Sequence, residues 1–98
     1  MTIEKKLDGS ALTIALEGRL DTTTSPELED ELKKSLDGVT ALTFDFSKLN
    51  YISSAGLRIL LAAHKAMLDK GTLKVTHVNV IVMEVLEVTG FSDILTIE

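Results

Sequence analysis

Cysteine is absent from the chain, and so is tryptophan. Without cysteine there is no disulfide, no thiolate zinc site and no cysteine nucleophile, and the chain suits a reducing, cytoplasmic compartment. One Tyr and three Phe leave the core to Leu, Ile and Val. No apolar run approaches the length of a membrane span, about 20 residues. The densest, 57–68, is interrupted by Arg58, His64 and Lys65, so no membrane insertion is expected. Met1-Thr2-Ile3-Glu4-Lys5-Lys6 lacks the apolar stretch of a signal peptide. The ten basic residues are scattered and the formal net charge is −5. Neutralising phosphates needs a clustered basic face, so direct nucleic-acid binding is not expected.

Catalytic constellations are also missing. His64 and His77 are the only histidines, and neither has a neighbour at metal-ligand spacing. There is no Gly-x-Ser-x-Gly elbow, no Gly-rich phosphate loop and no P-loop. Glu29, Asp30 and Glu31 read as a solvated helix face. No catalytic residue, cofactor or metal is expected, and the chain reads as a binding protein and not an enzyme.

What is present is a regular α/β pattern in 98 residues, of which 45% are apolar. Residues 1–98 read as one domain. Residues 2–7 and 10–16 are predicted strands of a hairpin turning at Asp8-Gly9. Leu12, Ile14 and Leu16 alternate with Ala11, Thr13 and Ala15. Residues 17–21 are then expected to leave the sheet. A helix opens near Pro26, with Ser25 or Thr24 as its N-cap, and Leu28, Leu32 and Leu36 form its buried stripe. Ala41 to Phe46 reads as a strand, followed by a turn at Ser47-Lys48-Leu49-Asn50. A second helix starts at Ser53-Ser54 and runs to about Leu68, with Lys70-Gly71 as its stop and Gly71 as the left-handed residue. Thr72 to Thr76 is a strand. In Val80 to Val88 the valines favour a strand, but Asn79 as N-cap and Thr89-Gly90 as stop decide for a helix burying Ile81, Val82, Val85 and Leu86. Ile94 to Ile97 closes as a last strand. The fold class is α/β, a mixed sheet with helices packed against it, in the order β-β-α-β-α-β-α-β.

Two strand-to-helix connections are candidates for function. Ser53-Ser54-Ala55-Gly56 opens the second helix. Its serines can cap the helix, or its small residues can leave the free N–H groups and positive dipole end open to a partner. A phosphate there would be tolerated locally and would add about −1.5 to −2 charges. Asp21-Thr22-Thr23 is either a loop of local turns or part of the same site, since sites gather at this edge of α/β sheets.

Gly18-Arg19-Leu20-Asp21-Thr22-Thr23-Thr24, Phe44-Asp45-Phe46-Ser47, Tyr51-Ile52-Ser53-Ser54-Ala55-Gly56-Leu57-Arg58 and Leu86-Glu87-Val88-Thr89-Gly90 together resemble the STAS domain. The group they most resemble is the bacterial anti-sigma factor antagonists, over residues 3 to 97. The resemblance implies a protein that binds an anti-sigma factor serine kinase while unmodified and so frees a sigma factor. It implies inactivation by phosphorylation and resetting by a serine phosphatase. Aligned on Gly56, the phosphorylated serine falls on Ser54, the family's preceding Asp on Ser53 and the second hydroxyl residue on Ala55. The family's Asp after Gly-x-Leu falls on Asp21. Ser53 offers a second hydroxyl where the family carries an acidic neighbour. Asp21, Thr22, Thr23, Ser53, Ser54, Ala55, Gly56, Leu57 and Arg58 are the implied partner-binding residues. A STAS adaptor of a transporter or sensory complex, with Ser54 only a cap and Val80 and Met83 as contacts, is the alternative. Nucleotide binding or hydrolysis is a third reading, opposed by the missing P-loop, base and metal ligands.

Overall fold

Alternating large and small side chains from Ala11 onward make a strand that buries one face, and the rest of the sheet grows on it. The computed structural model describes residues 1–98. The elements are β1 (Thr2–Asp8), β2 (Ala11–Leu20), α1 (Ser25–Ser35), β3 (Ala41–Ile52), α2 (Ser54–Met67), β4 (Thr72–Thr76), α3 (Val80–Val88), a 3-10 turn (Phe91–Asp93) and β5 (Thr96–Ile97). The sheet has five strands in the order β1-β2-β3-β4-β5. β1 runs antiparallel to β2 and the other pairs are parallel. The mixed sheet and the element order are those the sequence predicts. The pairing Asp8↔Ala11 leaves Gly9-Ser10 as the hairpin loop, one residue later than Asp8-Gly9. Gly9 takes the positive φ that such a loop needs.

The connections between sequential parallel neighbours carry α1, α2 and α3, which cover one face of the sheet. That face carries Leu12, Ile14 and Leu16, Leu42, Phe44 and Phe46, and Leu73 and Val75, all buried. Thr13, Ala15, Thr43, Asp45, Lys74 and Thr76 alternate with them and remain partly accessible. Leu28 and Leu32 of α1, Leu57, Leu60, Ala63 and Met67 of α2, and Val82 and Leu86 of α3 close the core. Leu36, just past the end of α1, packs at its border.

Both central strands run further than their sequence suggests. β2 does not end at residue 16; it continues through Gly18, at φ +106°, to the fully buried Leu20. β3 does not turn at Ser47-Lys48-Leu49-Asn50; it continues to Ile52. Its register shows why the pattern misleads. Ala15 pairs with Asp45 but Glu17 with Lys48, and Gly18 pairs with Leu49 but Arg19 with Tyr51. Each step inserts one extra residue into β3, a bulge that changes the spacing of inward residues from two to three. Phe46, Leu49 and Ile52 therefore all point inward although strict alternation is lost.

Three smaller expectations are corrected. Gly71 is not left-handed; a Cβ there would lie 1.8 Å from the Thr40 carbonyl oxygen, so the glycine serves close backbone approach. Ile81 is exposed, because the short α3 turns only Val82 and Leu86 fully inward, with Val85 at the border. The last strand is only Thr96–Ile97, because Phe91–Asp93 forms a 3-10 turn ahead of it. The Asn79 cap holds: its side chain accepts from the Val82 N–H at 2.8 Å and donates to the Leu49 carbonyl at 2.7 Å.

Candidate functional site

The C-terminal ends of β2 and β3 bring the two candidate connections together. Leu20 pairs with Ile52, and the Ser53 N–H donates to the Leu20 carbonyl at 2.9 Å. Asp21 and Ser53 thus leave the sheet side by side, and α1 and α2 begin at the same edge.

On the β2 side, one carboxylate organises the loop. Oδ1 of Asp21 accepts from the Thr23 N–H at 3.0 Å, the Thr23 hydroxyl at 2.7 Å and the Thr24 N–H at 3.2 Å. Oδ2 lies 3.6 Å from Nε of Arg19, whose guanidinium sits 4.3 Å from the centre of the Tyr51 ring. Hydrogen bonding by Thr23, above all from its hydroxyl, holds the Asp21 carboxyl down at about 2 against partial desolvation. The Thr24 hydroxyl accepts from the Asp21 N–H at 2.8 Å and donates to the Arg19 carbonyl at 2.7 Å. Thr24 is the N-cap residue of α1, but its hydroxyl serves this loop and caps no helical N–H. The first three positions of α1 offer no free donor. The Ser25 N–H bonds Asp21 O, Pro26 has none, and the Glu27 N–H bonds Thr24 O.

On the β3 side, the expected serine cap is not made. Ser53 has the extended backbone of an N-cap, with φ −102° and ψ 178°, yet its hydroxyl accepts no helical N–H. Its Oγ is buried without a partner. The N–H groups of Ser54, Ala55 and Gly56 donate to no protein acceptor, and the first closing bond runs from Leu57 N to Ser53 O at 2.9 Å. Gly56 is the reason α2 sits so close to the strand ends. A Cβ there would come within 2.8 Å of Ile52 Cγ1 and of Leu20 Cγ. Between the two helix starts lies a cleft walled by Thr22, Ser25, Pro26 and Glu29 on one side and by Ala55, Arg58, Ile59 and Ala62 on the other.

This sheet, with helices starting from adjacent strand ends, has known counterparts. A family model described as "Mlab, STAS domain" matches residues 3–96. BtrV of Bordetella bronchiseptica, named as an anti-sigma factor antagonist, is 36% identical over 91 residues, which cover 91% of this chain and 78% of BtrV. The chain belongs to the STAS family of anti-sigma factor antagonists. This STAS domain also superposes on an anti-sigma factor antagonist from Mycobacterium paratuberculosis with a TM-score of 0.89 at 22% identity, covering 98% of this chain and 83% of that one. With SpoIIAA in its unphosphorylated form the TM-score is 0.86 at 16% identity, covering 99% and 88%. At these identities the likeness is one of fold.

The STAS domain sorts the sequence-predicted site residues by exposure. Ser54, Arg58, Thr22 and Thr23 face solvent, Ala55 is half-buried on the cleft, and Asp21 and Ser53 are half-buried beside each other. Gly56 and Leu57 are buried, so their side is turned to the core and away from any partner. Ser25 and Glu29, not singled out from the sequence as site residues, join the site because α1 packs beside α2; Arg19 and Tyr51 meet across neighbouring strands. No local pattern announces either meeting. His77 adopts φ +59° and places Nδ1 3.3 Å from Asp45 Oδ1. The Asp45 carboxyl is lowered mainly by the Ser47 N–H, with His77 a smaller cause. No group of three or more His, Cys, Asp or Glu residues is placed to hold a metal. No helix is long and apolar enough to cross a membrane.

Proposed function

We propose that this STAS domain binds an anti-sigma factor serine kinase through the edge where β2 and β3 end, and that phosphorylation of Ser54 ends the binding. Unmodified, the domain occupies the anti-sigma factor and leaves a sigma factor free. The γ-phosphoryl group of ATP passes to Ser54 Oγ, ADP leaves, the hydroxyl proton is released, and the domain lets go. A serine phosphatase restores the starting state.

One observation carries this reading. Ser54 is exposed at the first position of α2, in front of three N–H groups that no protein acceptor fills. A phosphate is electrostatically welcome there. It also places about −1.5 to −2 charges at the centre of the exposed edge, which a surface fitted to a neutral hydroxyl would reject. Ser53 is the poorer acceptor, since its Oγ is buried. SpoIIAA, which shares the fold, has been solved in unphosphorylated and phosphorylated forms.

The test uses the purified chain and the anti-sigma factor kinase of the same cell. Ser54→Ala should bind within a few-fold of the parent, and Ser54→Asp should bind on the order of a hundredfold more weakly. Equal binding by the two variants would end the switch. Mass spectrometry of the protein from its own cells should place phosphate on Ser54.

A second reading has its own observation. Val80, Ile81 and Val88 of α3 are exposed at 74%, 61% and 87%. An adaptor role in a transporter or sensory assembly would use that face, and Ser54 would then be unmodified. Binding that survives Ser54→Asp but is lost in Ile81→Glu would favour it.

A further inference from the structure

The start of α2 leaves its first three N–H groups unpaired, as an uncapped helix start does. Three N–H groups are free, although Ser53 stands in N-cap geometry and is able to take one of them. Arg58 lies one turn on, at the i+4 position from Ser54, and is exposed with no ion pair. A separate feature points to the same place. Ser25, in the opposite wall of the cleft, is only 4% exposed, and its Oγ has no hydrogen-bond partner. A buried hydroxyl left unpaired is costly, so such groups in a native fold call for a ligand or a reason.

We propose that the cleft between the starts of α1 and α2 receives the phosphate of phosphorylated Ser54. Arg58 forms the ion pair, the open N–H groups of α2 donate, and the Ser25 hydroxyl donates from the far wall. The inference rests on the reading of Ser54 as the acceptor and says what the phosphate does after it is attached. The charged groups around it are Arg58 from α2, Glu29 from α1, and Arg19 with Asp21 from the end of β2. Asp21 already engages Arg19, which leaves Arg58 as the cation free to turn to the phosphate. Glu29 stands opposite and sets an upper limit on how strongly the cleft holds an anion. Folding the phosphate inward would silence the edge twice. It adds charge, and it withdraws Arg58 and the N–H groups from any partner that uses them.

The test needs only this chain, with phosphoserine introduced at position 54 during translation. Phosphorus NMR then follows the second ionisation of the phosphate, ordinarily near 6. In the folded chain it should titrate about 0.5 to 1 unit lower than in the same chain in urea, because nearby cations and donors favour the dianion. Arg58→Gln should return at least half of that shift, Ser25→Ala a smaller part, and Arg58→Lys should retain most of it. Arg58 is exposed, so its variants should keep the circular dichroism of the parent. A phosphate that titrates alike folded and unfolded would overturn the proposal, as would an Arg58→Gln chain indistinguishable from the parent. If free inorganic phosphate moved the Arg58 signals of the Ser54→Ala chain as much as the covalent group does in the parent, the cleft would be a site for a separate anion and the proposal would fall. Kinase binding is measured apart from this. A phosphorylated chain that still bound the kinase would defeat the functional reading and leave the phosphate shift standing; the reverse pair of results would do the opposite.

Discussion

The two helices that leave the same edge of the sheet begin in opposite ways. The first three positions of α1 show no free donor, because Asp21, Thr24 and Pro26 use or remove each one. The first three positions of α2 leave every donor open, although Ser53 and Ser54 supply two hydroxyls. Both starts are equally short of intrahelical partners. The difference lies in what each sequence is asked to do. Asp21-Thr22-Thr23-Thr24 is a run of local hydrogen-bonding groups that closes on itself. Ser53-Ser54-Ala55-Gly56 is held by packing, with Gly56 wedged against Ile52 and Leu20, and its polar groups stay available. One start is closed by its own side chains and the other is left open.

The largest effect should come from the wedge. Gly56→Val has no room beside Ile52 and Leu20, and should lower stability in urea by about 3 kcal/mol, with loss of any kinase binding. Gly38→Ala is the control, since a Cβ there meets nothing within 4 Å and only its φ of +78° opposes it. If Gly56→Val were as stable as the parent, α2 would not be held by this contact.

Next comes the sealed start. Thr24→Val deletes the bonds to Arg19 O and Asp21 N and should cost about 1–2 kcal/mol in the same measurement. Hydrogen exchange should show slow Thr24 and Ser25 amides in the parent and fast Ser54 and Ala55 amides. Equal protection at the two starts would erase the contrast.

The Asp21 carboxyl gives a pH signature. Its value in the folded chain is about 2, below the ordinary value of about 3.9. The folded state thus favours the ionised form, so the contribution to stability is complete above about pH 4 and is lost as pH falls toward 2. Glu31 and Asp45 are lowered too and add to the same acid loss. In Asp21→Asn the unfolding midpoint should be lower at neutral pH, and its decline below about pH 4 should be shallower than in the parent. Parallel profiles would mean that the loop does not depend on the charge.

The smallest effect should be the most telling. Ser53→Ala removes a buried hydroxyl that bonds nothing, and should leave stability unchanged or raise it by about 1 kcal/mol. Asn79→Ala, which breaks a cap that is made, should cost about 1–2 kcal/mol. A large loss in Ser53→Ala would show that Ser53 caps α2 in solution.

Much of the fold was legible because its signals are local. Alternation from Leu12 to Leu16, the Leu28 and Leu32 stripe and the Asn79 cap each lie within a few residues, and each appears as read. The ends of β2 and β3 were not legible. Two bulges broke the alternation of β3, and Gly18 with Arg19 looked like an exit from the sheet. Of the site, the two loops and their meeting were legible from topology. The burial of Gly56 and Leu57, the unmade cap at Ser53 and the entry of Ser25 and Glu29 were not.

The sequence by itself determined the order of strands and helices, the aliphatic core and the family motifs, because periodicity and turn chemistry act between near neighbours. Only the tertiary structure decided which glycines serve close approach, which serines are left without partners and which motif residues face outward. Those outcomes depend on Leu20 meeting Gly56, on Thr40 meeting Gly71 and on α1 lying beside α2. Such contacts join residues far apart in the chain, and no local pattern carries their distances.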